Sequence, residues 1–167
     1  MIRRPIETIG IAVALVTATS AAAFAQLRPQ PQTQPPPPSS ALTTESVEAG
    51  LAGNDAKALA LADEAIQKDA KDPWGYFNRG DALRALHRTD EAVSAFRDAE
   101  ARMTPGDLWG RSVAIWGQAD ALARDGRCRD AAPVYERYAA AVENADRASA
   151  DLARLYARHC TPRGETK

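Results

Sequence analysis

The chain has 167 residues, with 22 acidic and 21 basic side chains and a formal net charge of −1. One small domain is expected at this length, and the near balance of charge leaves no excess to suggest binding to nucleic acid or to an anionic membrane.

Residues 1–25 open with Arg3 and Arg4, continue through an apolar stretch from Ile9 to Val16, and end in Ala23-Phe24-Ala25. That is the layout of a secretory signal with an A-x-A cleavage site. It predicts a mature chain starting near Gln26 and a periplasmic or secreted location. The apolar run is short for a membrane span, and Thr17, Thr19 and Ser20 interrupt it, so no stable membrane insertion is expected after cleavage. Retention of the segment as an anchor is the alternative. Residues 26–41 read QLRPQPQTQPPPPSSA and hold six of the eleven prolines. Consecutive prolines favour polyproline II and forbid helix, which predicts a Pro/Gln-rich disordered linker.

From residue 42 the composition shifts to alanine and the period to that of helices. Asn54-Asp55, Asp72-Pro73, Thr89-Asp90 and Thr104-Pro105 read as helix starts, each with a capping side chain ahead of a periodic run. Helices are expected near 43–52, 55–69, 73–86, 90–103, 105–125, 128–143 and 146–160, with a disordered tail at 161–167. The last helix sets Ala148, Leu152, Leu155, Tyr156 and His159 on one side and Arg147, Asp151, Arg154 and Arg158 on the other, as a terminal covering element requires.

Within this helical stretch, Tyr76 precedes Gly80 by four residues and Leu83 follows by three; Ala92, Phe96 and Ala99 come next in an A-x3-F-x2-A run. Shifting by 34 residues aligns Ala58, Ala62 and Ala65, with Gly53 ahead of them. Shifting forward by 39 aligns Ala119, Leu122, Ala131, Tyr135 and Tyr138, with Gly126 between them. The pattern resembles the tetratricopeptide repeat, a helical hairpin of about 34 residues. The resemblance spans roughly residues 41–145. It implies an all-α fold, a short α-solenoid of three such hairpins plus a C-terminal capping helix, because one hairpin cannot bury its own apolar face.

A protein-binding scaffold or adaptor is therefore expected, with a peptide or protein partner on the concave face lined by the first helix of each hairpin. Projected onto this chain, that face takes Trp74, Phe77, Asn78, Asp81 and Arg84, then Val113, Trp116, Asp120 and Arg124. Trp109 and Trp116 lie seven apart on one helical face, which suits packing against a neighbouring helix equally well. Some co-chaperones of the family grip a terminal carboxylate. Asn78 matches one of those positions, but Thr43, Val47, Val113 and Gly117 occupy others, so that clamp is not expected. The alternatives are a self-associating envelope protein, as a homodimer, and an accessory subunit of an envelope enzyme.

Cys128 and Cys160 fall at the two ends of consecutive antiparallel helices of similar length, which brings them to the same end of the pair. In an oxidising compartment a Cys128–Cys160 disulfide is the leading expectation, against two free buried thiols. No metal site is expected: no C-x2-C or H-x3-H pair exists, and His87 and His159 are far apart in sequence. Catalytic motifs and phosphate-cradling glycine loops are absent, so neither enzymatic chemistry nor a cofactor is expected.

Overall fold

The computed structural model describes residues 40–160; the expected signal segment, all of the proline-rich linker but its last two residues, and the 161–167 tail lie outside the described residues. Those described form seven helices and no strand: α1 (Ala41–Leu51), α2 (Asp55–Lys68), α3 (Pro73–Ala85), α4 (Thr89–Arg102), α5 (Leu108–Arg124), α6 (Cys128–Val142) and α7 (Arg147–His159). The fold is all-α.

Capping chemistry explains the helix starts, including four that differ from the sequence expectation, the last of them α7 by one residue. The Ser40 hydroxyl accepts from the Thr43 amide at 3.3 Å, so α1 begins at Ala41, two residues early. Asn54 and Asp72 cap as expected, accepting from the Lys57 and Trp74 amides at 3.2 and 3.0 Å. Thr89 is itself helical, and Arg88 before it makes no side-chain cap bond; Asp90 and Glu91 in the first turn meet the positive helix end instead. Thr104 does not cap α5. The chain turns there, and Asp107 accepts from the Gly110 amide at 2.8 Å, so α5 starts at Leu108 rather than 105.

Asp146 caps α7, accepting from the Ser149 amide at 3.0 Å and from its hydroxyl. The Ser149 hydroxyl first, then its amide, holds the Asp146 carboxyl below the ordinary carboxylate range. A depressed folded value means stability that is present above the unfolded pKa and lost as pH falls through the folded one. Asp146→Ala is expected to cost about 1 kcal/mol near neutrality. The difference from the parent should shrink on acidification below about pH 4, where the unfolded carboxyl takes up its proton. Denaturant melts at several pH values check both.

Among the described residues one turn occurs three times. At Gly53, His87 and Gly126 the backbone is left-handed, with φ of 75°, 58° and 76°. Around each, the same two bonds close the preceding helix: the amides of Asn54, Arg88 and Arg127 donate to the carbonyls of Ala49, Leu83 and Leu122, and the amides of Gly53, His87 and Gly126 to those of Gly50, Arg84 and Ala123. This is the Schellman arrangement, in which a left-handed residue satisfies the orphan carbonyls of a helix end. His87 bears a Cβ where its two counterparts bear none. His87→Gly relieves about 1–2 kcal/mol of left-handed strain and adds a smaller unfolded-state entropy, for a net gain of about 0.5–1 kcal/mol. A thermal midpoint raised by a few degrees is the expected readout.

Consecutive helices pack throughout, and α1 with α3 and α3 with α5 also meet directly. The main core gathers Leu83, Val93, Phe96, Leu122 and Tyr135 with many alanines. Phe96 is fully buried between two glycines. A Cβ added at Gly80 on α3 would stand 2.8 Å from the Phe96 ring, and one at Gly117 on α5 would stand 2.7 Å from it. The missing side chains on α3 and α5 are what admit the α4 ring at the seam of three helices. A second cluster, Ile115, Tyr138, Val142, Ala150 and Ala153, joins α5 and α6 to α7, and Trp116 packs against both clusters. Cys128 and Cys160 are joined in a disulfide, with Cα atoms 4.9 Å apart.

Candidate binding groove

Direct contact between α1, α3 and α5 makes a row of three helices. Polar side chains fix its first step: Asn78 on α3 donates from Nδ2 to the Thr43 carbonyl on α1 at 2.8 Å, and Ser46 donates to the Ala58 carbonyl on α2 at 2.8 Å. Both donors are buried and both are satisfied, so hydrogen bonding offsets the cost of taking them out of water. Between α1 and α3 lies an open cavity of about 290 Å³ whose lining includes Val47, Leu51, Asn78, Asp81 and Arg84. Val47 and Leu51 are 48% and 84% exposed and add apolar surface to its rim.

Along the row runs a ladder of alternating charge. Arg84 on α3 donates from Nη2 to Asp81 at 2.7 Å and from Nη1 to Asp120 on α5 at 2.6 Å, and Asp120 also accepts from Arg124 Nε at 2.7 Å. Arg84 and Asp120 are about four-fifths buried, whereas Arg124 is mostly exposed. Burial pulls Arg84 downward, but Asp81 and Asp120 outweigh it and raise its pKa, so the guanidinium stays charged. Its Nε is buried with no hydrogen-bond partner. Such a pair locks the spacing of α3 and α5 more than it adds stability, since desolvation offsets much of the Coulomb attraction.

The residues projected from the sequence, Val113 apart, therefore divide into three groups. Asp81, Arg84, Asp120 and Arg124 meet in the ladder. Asn78 spends its amide on the Thr43 backbone. The aromatics meet other rings: Trp74 lies 5.6 Å from Phe77 and 5.2 Å from Trp109, Phe77 lies 5.4 Å from Phe96, and Trp116 lies 5.1, 5.2 and 5.5 Å from Tyr135, Tyr138 and Tyr156. Trp109 and Trp116, seven apart on α5, thus serve two separate ring clusters. Val113 is half-buried.

No protein-family model matches this chain, and no curated protein matches it in sequence.

Sequence reasoning passed over a polar contact on the other side of α5. Gln118 is 1% exposed; it donates to Glu100 on α4 at 2.8 Å and accepts from Arg137 on α6 at 2.7 Å. One buried amide thus links three helices. Its signal was a lone glutamine at an interior position of an apolar run, which needs partners once buried. Among the described residues no group of three or more His, Cys, Asp or Glu gathers to hold a metal ion, and no helix is long and apolar enough to cross a membrane.

Proposed function

We propose that this chain is an exported protein-binding module, built as a short solenoid of three tetratricopeptide-like hairpins (α1 with α2, α3 with α4, α5 with α6) and closed by α7. The observation that carries the reading is the threefold Schellman turn at Gly53, His87 and Gly126, which sets each hairpin in the same geometry while α1, α3 and α5 line up. A peptide or protein partner lies along that row. Val47 and Leu51 offer it apolar area, and the Asp81–Arg84–Asp120–Arg124 ladder offers fixed alternating charge. Because the ladder is already internally paired, it selects register and partner more than it adds affinity. The mechanism is equilibrium binding, with no bond made or broken and no cofactor. The Cys128–Cys160 bridge supports an oxidising compartment, and residues 1–25 support delivery to the bacterial periplasm.

Two experiments test this. The full chain is expressed in a bacterial host with a periplasm and the product's N-terminus is sequenced: Gln26 is expected, and an intact Met1 end in a cytosolic pool sinks the export reading. Then a photo-crosslinking residue is placed at Val47, with and without Leu51→Glu. A partner captured by the parent and lost in the variant, with unchanged circular dichroism, supports the groove. Equal capture by both removes it, and capture of only a second copy of the chain shows self-association.

A further inference from the structure

The chain enters α1 beside two tryptophans. α3 and α5 run parallel and in register: Trp74 near the start of one lies 5.2 Å from Trp109 near the start of the other, and Arg84 near the end of one meets Asp120 near the end of the other at 2.6 Å. α1 points the same way on the opposite side of α3, because Thr43 in its first turn is held by Asn78, while Val47 and Leu51 further along share a cavity with Arg84 and Ala85. Trp74 precedes Asn78 by four residues and Ser40 precedes Thr43 by three. At about 1.5 Å per residue the two lie at nearly one level. Helices in contact are about 8–10 Å apart, so Trp74 is one helix over from Ser40 and Trp109 one further.

Several properties of this edge fit the segment that precedes Ser40. Trp74 and Trp109 are only half-buried, and Leu108 beside them is 41% exposed. Neither indole N–H donates to any described residue. Ser40 has φ −58° and ψ 157°, close to polyproline II, so the chain already has that conformation where it reaches α1. Just ahead of it stand Pro35, Pro36, Pro37 and Pro38. At about 3.1 Å per residue in polyproline II they cover roughly 6–15 Å from Ser40, the span from the near side of α3 to the Trp109 ring. A polyproline II backbone makes no internal hydrogen bond, so its carbonyls are free to accept from the indoles. Residues 29–39 carry no charge. The cavity on the other side of Ser40 holds Lys68, Asp69, Lys71 and Asp72 and offers no ring, so it suits that segment less well.

We infer that the chain's own residues 35–38 dock on this edge, crossing the starts of α3 and α5 as a polyproline II segment with its rings on Trp74 and Trp109 and its carbonyls accepting from the indole N–H groups. Aromatic surfaces capture such segments because the conformation is formed beforehand and little entropy is lost. The short tether adds an effective concentration that a free peptide does not reach. The docked prolines close the entry end of the row of α1, α3 and α5, and they leave open the part beyond Asn78 where Val47 and Leu51 lie. The contact stands whether or not that row takes a peptide partner.

The test follows the three indole N–H resonances of the nitrogen-15-labelled mature chain, assigned with Trp74→Phe, Trp109→Phe and Trp116→Phe. Pro35→Ser, Pro36→Ser, Pro37→Ser and Pro38→Ser combined should shift the Trp74 and Trp109 resonances and speed their exchange with water. Trp116, among its three tyrosines, should stay in place. All four positions precede α1, so the helical fold is retained, as circular dichroism checks. Pro29→Ser with Pro31→Ser should move none of the three. A peptide of sequence QPPPPSS at millimolar concentration should bring the serine variant's resonances back toward the parent's and leave the parent unchanged, with little effect of salt. Unmoved resonances in the serine variant overturn the proposal. So does an equal response of parent and variant to the peptide, because the edge is then open in the parent. A shift that disappears on dilution, with a dimer in sedimentation velocity, overturns it as well, since the prolines then dock on a second copy.

Discussion

Phe96→Ala is expected to lower stability by about 3–5 kcal/mol, much of what a domain of this size possesses. The ring is fully buried, sits in the largest core cluster, and touches α3, its own α4 and α5. Its removal opens a cavity that backbone movement cannot fill, because the alanines around it have no side chain to swing in. Gly117→Ala gives the complementary result. On an exposed helix the exchange would be favourable by about 1 kcal/mol. Here the added methyl meets the Phe96 ring at 2.7 Å, and overpacking of that kind costs about 1–3 kcal/mol. The two residues must then be coupled: in a Phe96→Leu background, Gly117→Ala should recover part of its penalty, measured as an interaction energy in a double-mutant cycle. Urea denaturation of the four proteins is sufficient. A neutral or stabilising Gly117→Ala in the parent would show that α4 and α5 are not held at contact distance by this pair.

Helix count and order were legible in the sequence because capping residues and alanine periodicity act locally. Asn54 and Asp72 cap where expected since each competes only with its own first turn. The α5 start was misread because Thr104-Pro105 and Asp107 both offer start signals, and only the turn across Thr104–Gly106 decides between them. Spacing placed Gly80 and Phe96 on consecutive helices of one repeat. It did not link Gly117 to that ring, because the ring comes from another helix and no local pattern announces that. The same holds for the candidate groove. Spacing put Asp81, Arg84, Asp120 and Arg124 on the first helices of their pairs, and tertiary packing made them a ladder. Spacing could not say that Asn78 would be consumed by the Thr43 backbone, or that Trp116 would be surrounded by three tyrosines. Recurrence of the turn at His87 was hidden for the opposite reason: the backbone repeats there while the residue type does not.

Replacing both cysteines with serine is expected to cost about 3.5–4 kcal/mol, the chain-entropy value for cross-linking residues 32 apart. For the roughly 120 described residues that corresponds to a fall in thermal midpoint of about 15 °C. The loss should be uneven. The bridge joins the start of α6 to the end of α7, while the turn between the two helices closes the opposite end of the pair. Without it, α7 is held by its apolar face, with Ala150 and Ala153 against Tyr138 and Val142 and Tyr156 against Trp116, and by the Arg154 pair with Glu143. Alanines contribute little area each, so α7 should open before the rest unfolds. Hydrogen exchange resolves this: amides of α7 should lose protection by more than those of α3 and α4, and Trp116 emission should shift to the red as Tyr156 leaves its edge. Reducing the parent protein with a dithiol should reproduce both changes. A serine variant that melts within two or three degrees of the parent would mean that side-chain packing alone fixes α7, and that the bridge is not what keeps the Trp116 cluster covered. A uniform loss of protection across all seven helices would mean instead that α7 is part of the cooperative core.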